Sequence, residues 1–218
     1  GPSTTSNCSA VKVKVETIDL NNPLKPALVI FGAQGSGKST QSSIIAKQFD
    51  LTIFESGEQL RALAASNEAD EPSSKDLRSK LARGDLIDDQ TIQIIWQRFL
   101  LTQPKDKGIV LDGFPRNIHQ CEELERVARK RQWQIIGVYL KIPDSIAKSR
   151  LLARHRMDDT PQIIEERLAL FHRRTEPVLK WLEVNGQLLL IDGQPSAEQV
   201  SSDVLARLEK LIAGVRGE

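Results

Sequence analysis

The ten residues GAQGSGKSTQ, at positions 32–41, combine residue types and spacing that suit the binding of phosphate groups. Glycines allow successive backbone N–H groups to curl around an anion, and Lys38 can reach the outer phosphates. The apolar run ALVIF precedes this stretch and the helix-like run TQSSIIAKQF follows it, so the positive end of a helix also faces the anion. We therefore interpret residues 32–39 as a P-loop. A chance glycine-rich turn is the alternative, and the complete strand–loop–helix context disfavours it.

Asp112 is a second candidate for chemistry, because it ends the apolar run IVLD just before Gly113. Open α/β sheets collect their ligands at the carboxyl ends of the strands, and a carboxylate in that place orients Mg²⁺ or its waters. The hydroxyl of Ser39 is a further candidate ligand for the same ion. A turn-forming aspartate is the alternative, and the nearby P-loop makes that alternative weaker.

Arginines supply most of the other candidate positions. Arg116 and Gln120 are four apart at the start of a predicted helix, so they are expected to share a face near Asp112. The further candidates are Arg61, Arg150, Arg154, Arg156 and Arg167. Each arginine taken alone is more often a solvated surface residue. Together with Lys38 they provide what phosphoryl transfer between two anionic substrates requires, which is fixed cations and no general base.

The elements that must position these residues are indicated by five short apolar runs, each followed by a helix-like segment. The runs are ALVIFG, LTIF, GIVLD, QIIGVYLKI and LLLID. Buried strands crossed by helices predict an α/β fold with a doubly wound, five-stranded parallel sheet. The predicted helix starts are Ser56 with Gln59, Ser196 with Gln199, and Thr160 before Pro161. Residues 56–107 hold helical patterns and no strand, so their first part is interpreted as a small helical insertion.

Length and composition limit the class of protein. The chain has 218 residues, 39 % of them hydrophobic, which predicts one domain over residues 25–218. With 30 basic and 29 acidic residues, the net charge of +1 gives no global field that would favour nucleic acid or a membrane surface as partner. The two cysteines form neither a metal pair nor a disulfide framework, and no apolar run could span a bilayer. We expect a cytoplasmic protein, either a monomer or a small homo-oligomer.

Residues 1–24 form a polar leader in which Val11–Val15 alternates valine with lysine. This pattern of period two suits one extra, half-exposed strand, and a tail without regular structure fits equally well. His119, His155 and His172 are scattered along the chain and are interpreted as surface or structural residues. None of these features is assigned to the chemistry.

Several motifs in this order resemble the adenylate kinase branch of the nucleoside monophosphate kinases, over residues 27–210. GAQGSGKST is similar to that family's ATP-phosphate loop, FESGEQLR to its monophosphate-binding stretch, and ARGDLIDDQ to the segment whose backbone faces the AMP base. LDGFPRNIHQ is the most diagnostic motif, and RLLARHRMDD followed by EERL resembles the lid with its arginines. The resemblance implies a P-loop kinase fold with a monophosphate-binding insertion at about residues 56–86.

Carried over residue by residue, the resemblance implies a role for each candidate. The ATP-binding residues would be Gly35, Ser36, Gly37, Lys38, Ser39, Thr40, Arg150, Arg154 and, in the Gly193–Gln194 turn facing adenine, Gln194. The AMP-binding residues would be Ser56, Arg61, Asp85, Leu86, Ile87, Gly113, Arg116, Gln120, Arg156 and Arg167. The catalytic residues would be Lys38, Arg116, Arg156 and Arg167, and Asp112 would hold Mg²⁺ through water. Uridylate/cytidylate kinases are similar too but usually carry Asn where Gln120 stands, so Gln120 favours AMP.

Three features depart from the pattern of the family. The family usually has Pro where Gln34 stands and Gly where Ser39 stands, so this loop is closer to that of general P-loop kinases. Only three residues separate Arg154 from Asp158, fewer than in the family's short-lid members, and the zinc cysteines of some lids are missing. The resemblance therefore implies a truncated lid, at about residues 155–159, and no zinc.

The expected activity is reversible phosphoryl transfer from MgATP to AMP, giving two ADP, by direct in-line attack. ATP and AMP or ADP are the expected partners, and Mg²⁺ is the expected cofactor. Two alternatives stay open: a kinase for another nucleoside monophosphate or a small metabolite, which the GKST loop permits, and a catalytically weak nucleotide-binding sensor. The persistence of nearly all the charged candidate residues disfavours the sensor.

Overall fold

The structure, a computed structural model, describes residues 25–65, 73–83, 87–154 and 159–215. The strands in these ranges are β1 Lys25–Phe31, β2 Thr52–Glu55, β3 Ile109–Asp112, β4 Trp133–Lys141 and β5 Leu188–Asp192. All neighbouring pairs are parallel, and the strand order is β2-β3-β1-β4-β5. The doubly wound, five-stranded α/β sheet that the apolar runs predict is confirmed.

Helices occupy most of the chain between the strands in the described ranges. They are α1 Lys38–Gln48, α2 Ser56–Ala65, α3 Ser73–Arg83, α4 Asp89–Thr102, α5 Ile118–Arg131, α6 Asp144–Ala153, α7 Pro161–Arg174, α8 Glu176–Val184 and α9 Ala197–Val215. Three of them, α2 to α4, follow one another between β2 and β3, where the sequence shows helical patterns. The division into one domain with a monophosphate-binding insertion stays a prediction.

The sheet separates two hydrophobic layers, because successive side chains of a strand point to opposite faces. Ala27 and Val29 of β1 pack on one face with residues of α4, α5 and α8, among them Trp96. Leu28 and Ile30 pack on the other face with residues of α1 and α9. Burial on both faces requires uninterrupted apolar runs, which is why these strands can be recognised in the sequence.

The carboxyl ends of the five parallel strands lie on one edge of the sheet, and β1 is the central strand. The chain winds from β1 to β2 and β3 on one side, and later to β4 and β5 on the other. Such a reversal of winding opens a crevice at the strand ends, where α/β proteins bind ligands. The loop after β1 lies at this crevice, with the ends of β2 and β3 on one side of it and the end of β5 on the other.

Two of the three predicted helix starts are confirmed. The N–H of Gln199 donates to Ser196 Oγ at 3.3 Å, and the N–H of Ser196 donates to Gln199 Oε1 at 3.1 Å, so these residues form a capping box. Thr160 caps α7 by accepting the N–H of Ile163 at 3.3 Å. Ser56 differs from the prediction, because β2 runs into α2 without an intervening residue and Ser56 is already helical. Its buried hydroxyl accepts a hydrogen bond from the loop after β3 instead.

The structure adds one observation about membranes. Within the described ranges, none of the helices has the length and apolar character needed to cross a bilayer. The leader at residues 1–24, with its predicted extra strand, lies outside the described residues.

Candidate functional site

The loop after β1 has the backbone geometry of an anion cradle. Gly35 and Gly37 have φ of 85° and 93°, a region that residues with a Cβ rarely adopt. A Cβ on Gly35 would also lie 3.0 Å from the carbonyl oxygen of Ala147 in α6. The first turn of α1, which has no acidic side chain, contains Lys38, Ser39 and Thr40. An anion in the cradle therefore meets the positive end of a helix.

Two groups of the P-loop are prepared for an anionic ligand. The hydroxyl of Ser36 is buried, and no described atom forms a hydrogen bond with it. The ammonium of Lys38 donates to the carbonyl oxygen of Ala33 at 3.0 Å. The pKa of Lys38 falls to about 8, chiefly because the surrounding protein displaces water; Asp112 opposes this shift, and the nearby cations add to it. A bound phosphate stabilises the charged form of such a desolvated lysine more than that of a lysine exposed to water.

Ser39 and Asp112, the two predicted metal-binding residues, are in direct contact. Ser39 donates a hydrogen bond from Oγ to Asp112 Oδ2 at 2.7 Å. Asp112 is the last residue of β3, and its pairing with Ile30 places the end of β3 beside the P-loop. A hydroxyl and a carboxylate oxygen in adjacent positions are the hard oxygen ligands that Mg²⁺ prefers, so these residues fit the ion.

The loop after β3 carries the chain from Asp112 towards Ser56. Arg116 donates from Nε to the carbonyl oxygen of Gly113 at 2.7 Å and from Nη2 to Ser56 Oγ at 3.4 Å. A Cβ on Gly113, which has φ of 79°, would lie 2.3 Å from Ser56 Oγ, so a glycine is needed for this approach. Desolvation lowers the pKa of Arg116, Asp112 opposes the shift and Arg174 adds to it, but an arginine stays protonated at neutral pH.

The predicted shared helical face of Arg116 and Gln120 is wrong. Helix α5 begins at Ile118, and Asn117 caps it by accepting the N–H of Gln120 at 2.9 Å. Arg116 therefore precedes the cap and lies in the loop, because an asparagine favours the N-cap position. The two residues are still neighbours, since the backbone N–H of Arg116 donates to Gln120 Oε1 at 2.7 Å.

The side chain of Gln120 is buried, and both ends of its amide have a partner. Gln120 Nε2 donates to Oδ1 of Asp89, the first residue of α4, at 2.9 Å. Asp89 also accepts hydrogen bonds from Asn117 and from Arg174 at the end of α7. Asp89 and Arg174 are not among the candidates predicted from the sequence, because their contact joins positions 85 apart. The repeated aspartate of the DD pair at 88–89 is the signal that could have indicated Asp89.

Arg150 connects the P-loop to the turn after β5. Its Nη1 lies 3.4 Å from the carbonyl oxygen of Gly35 and 3.0 Å from that of Gly193, and Nη2 donates to the carbonyl oxygen of Gln194 at 2.9 Å. These acceptors are backbone oxygens, so within the described ranges no carboxylate neutralises the guanidinium. The structure thus brings Arg150 and Gln194 together with the cradle.

Asp159, which lies just before α7, contacts two of the predicted arginines. Its carboxylate accepts hydrogen bonds from Nε and Nη2 of Arg154 and from Nη1 of Arg167, the last at 3.4 Å. The Asp159 side chain is only 1 % exposed, so this carboxylate is a buried anchor for both cations. Arg156 lies outside the described residues.

Among the remaining predicted AMP-binding residues, Arg61 lies on the β2 side of the site. Arg61 of α2 pairs with Glu55 at the end of β2, with 3.6 Å between Nη2 and Oε1. Burial and the Asp112 charge raise the pKa of Glu55, and Arg61 opposes the shift. The Arg61 side chain is exposed, so the pair is weak and the guanidinium can turn to a ligand. Ile87 packs against the core. Asp85 and Leu86 lie outside the described residues.

Comparison with known sequences decides the family. A sequence model of the family described as adenylate kinase matches residues 30–187. The chain is also 32 % identical over 190 residues to the adenylate kinase of Phocaeicola vulgatus, an alignment that covers 84 % of this chain and 98 % of that protein. The chain belongs to the adenylate kinase family.

Other relatives agree with this placement. Adenylate kinase 2 of Nostoc sp. is 34 % identical over 187 residues, covering 83 % of this chain and 97 % of that protein. The adenylate kinase of Synechococcus sp. is 32 % identical over 186 residues, covering 85 % of this chain and 100 % of that protein. The family resemblance inferred from the motifs is confirmed. As a member of the adenylate kinase family, the chain is an ATP-binding enzyme of the transferase class, a nucleoside monophosphate kinase.

Proposed function

We propose that this nucleoside monophosphate kinase transfers the γ-phosphoryl group of MgATP to AMP, reversibly, and gives two ADP. The observation that carries the proposal is the arrangement around the end of β3. Asp112 contacts Ser39 of the P-loop, and Arg116, four residues later, contacts Ser56 at the start of α2. One short segment thus joins the phosphate cradle to a second cationic region, as transfer between two phosphorylated substrates requires.

The donor half of the proposed site is the cradle itself. The triphosphate of ATP lies between Gly35 and Lys38, where Ser36 offers a buried hydroxyl that has no partner among the described atoms. Arg150 adds a cation that no carboxylate of the described ranges neutralises. Arg150 also donates to the turn that includes Gln194, so this turn lies beside the cradle, and we assign it to the adenine of ATP.

Mg²⁺ accompanies ATP in this proposal, and Ser39 and Asp112 would hold it, Asp112 through water. When bound, the ion neutralises negative charge on the phosphate oxygens. The Oγ of Ser39 lies 2.7 Å from Oδ2 of Asp112, so the carboxylate orients the hydroxyl before any ion arrives.

The acceptor half consists of cations that come from several parts of the chain. Arg61 and Arg116 bind the phosphate of AMP, while Arg156 and Arg167 stabilise the phosphoryl group in transit. A phosphate oxygen of AMP attacks the γ-phosphorus, and the bond from that phosphorus to its bridging oxygen breaks. The electron pair of this bond stays on the β-phosphate of the departing ADP. The attacking oxygen carries no proton, so fixed cations and alignment suffice without a general base.

A panel of acceptors with MgATP tests the proposal. AMP should give the highest kcat/KM, with two ADP formed for each ATP consumed, and CMP, UMP, GMP and non-nucleotide phosphates should be poor acceptors. The Lys38→Ala variant, purified in the same way, controls for contaminating kinases. A higher activity on CMP, UMP or a non-nucleotide acceptor would overturn the choice of AMP. Calorimetric binding of both nucleotides without any ADP formation would support a sensor instead.

A further inference from the structure

Asp89 accepts hydrogen bonds from three separate parts of the fold. Its carboxylate oxygens lie 2.9 Å from Gln120 Nε2, 3.0 Å from Asn117 Nδ2 and 3.2 Å from Arg174 Nη2. The residue that caps α4 is its neighbour Asp88, so the cap does not account for Asp89. The carboxylate instead joins the start of α4 to the start of α5 and the end of α7.

These contacts determine the orientation of the side-chain amide of Gln120. A carboxylate only accepts hydrogen bonds, so Asp89 selects the NH₂ end of the amide. The backbone N–H of Arg116 only donates, so it selects Oε1, at 2.7 Å. A flipped amide would lose both hydrogen bonds and would set oxygen against oxygen. Gln120 is 6 % exposed, so water cannot easily replace the lost partners.

An amide held in this way keeps one N–H and one oxygen lone pair for a ligand. Adenine presents a donor, its N6 amino group, beside an acceptor, its N1 atom. Guanine presents the reverse order, with an acceptor at O6 and a donor at N1. An amide of fixed orientation therefore pairs with one purine and opposes the other in the same approach, whereas an amide that is free to flip accepts both.

We propose that Asp89 is a positioning residue that orients Gln120 and thereby sets the preference for adenine in the acceptor nucleotide. Arg174 forms an ion pair with the Asp89 carboxylate, with 3.2 Å between Nη2 and Oδ2. Asp89 also follows Ile87 by two residues, so it links Gln120 to the backbone segment proposed to face the same base. This inference rests on the proposed function, in which Gln120 reads the base of AMP.

The Asp89→Ala variant tests the inference. The loss of one oriented hydrogen bond to the base should raise the KM for AMP about tenfold and leave kcat and the KM for ATP within about twofold. The ratio of kcat/KM for AMP to that for GMP should fall by about the same tenfold factor. Asp88→Asn is the matched control, because it removes the neighbouring charge and keeps a capping side chain. It should change none of these values.

A double-mutant cycle with Gln120→Ala separates positioning from simple stabilisation. If Asp89 acts through Gln120, then Asp89→Ala should add less than about a twofold effect in the Gln120→Ala background. Additive effects, or an unchanged AMP to GMP ratio in Asp89→Ala, would overturn the inference. Gln120→Ala with unaltered AMP kinetics would instead overturn the base assignment in the proposed function, so the two failures can be told apart.

A second variant covers the case in which Asp89→Ala folds poorly. Asp89→Asn keeps the volume of the side chain, but its amide can donate to Oε1 as well as accept from Nε2, so only the backbone N–H of Arg116 still selects the orientation of Gln120. Asp89→Asn should therefore lower the AMP to GMP ratio with little change in thermal midpoint. An unchanged ratio in this variant counts against the inference as well.

Discussion

The surrounding protein displaces water from the charged groups of Lys38 and Arg116 and lowers their pKa values. The negative charge of Asp112 offsets this effect only in part. Cations in this condition are stabilised by anionic ligands, because a phosphate replaces the lost water with opposite charge. Ser39 adds a hydroxyl, already bonded to Asp112, where the family usually has glycine. At the scale of the residue, these cations therefore favour the two phosphorylated ligands of the proposed reaction.

Removal of the cation on the acceptor side tests this arrangement. Arg116→Ala should lower kcat/KM for AMP by about 100-fold or more, since fixed donors at a transferring phosphoryl group have effects of this order. Binding of ATP, measured by calorimetry, should be largely retained, because the P-loop is intact. Arg126→Ala removes an exposed arginine of the following helix α5, paired with Glu123, and serves as the matched control. Unchanged AMP turnover in Arg116→Ala would contradict the role of this residue.

At the scale of the element, the connection between α6 and α7 is the place where the sequence predicts a truncated lid. Helix α6 ends at Ala153 and α7 begins at Pro161, so residues 154–160 form the whole connection. The buried carboxylate of Asp159 holds Arg154 and Arg167 at its end, so the two arginines are anchored without a long lid. A lid excludes water from the transferring group, and a short connection covers less of the site.

Hydrolysis of ATP in the absence of AMP tests the predicted truncation of the lid. We expect a faster release of phosphate from MgATP than in a short-lid member of the family, because water competes better for the γ-phosphoryl group. The rate should be measured with both purified enzymes at saturating MgATP, with Lys38→Ala as the background. A rate no greater than that of the short-lid enzyme would contradict the expectation.

At the scale of the whole molecule, α6, α7 and α8 are connected at His172. Its Nδ1 lies 2.6 Å from Glu176 Oε1, and its Nε2 lies 3.0 Å from Asp144 Oδ2. The hydrogen bond to Glu176, and then the contacts with Asp144, raise the pKa of His172 above the ordinary 6.5, while burial opposes the shift. The protonated ring therefore links the start of α6 to the start of α8 across the end of α7.

The stability of the protein should show this link as a dependence on pH. Because the pKa is raised in the folded state, the contribution of His172 is fully present below the unfolded pKa and is lost as pH rises through the folded pKa. The difference in free energy of unfolding between the unchanged protein and His172→Gln should thus be largest below about pH 6 and shrink at alkaline pH. Urea unfolding at several pH values measures it. His119→Gln, at an exposed position, is the control, and a difference independent of pH would contradict the prediction.

Local patterns of the sequence predict much of the fold and part of the site. The five strands are recognisable because burial on both faces leaves uninterrupted apolar runs, and α7 and α9 begin at recognisable caps. The P-loop and Asp112 can also be predicted, because each lies in a short contiguous motif. The prediction that places Arg116 on α5 is wrong, because several residues near position 116 could start the helix. Asn117 is the cap in the structure, where it also donates to Asp89 of α4.

The sequence alone determined the parallel α/β class, the P-loop and the family, because each depends on residues close together in the chain. Only the tertiary structure decided which distant residues meet. The contacts of Ser39 with Asp112, of Arg150 with Gln194, and of Asp89 with Gln120 form when strand order and helix packing bring separate loops to one edge of the sheet. Side chains so far apart in sequence carry no local signal of their contact, since the free energy that joins them comes from the packing of the whole core.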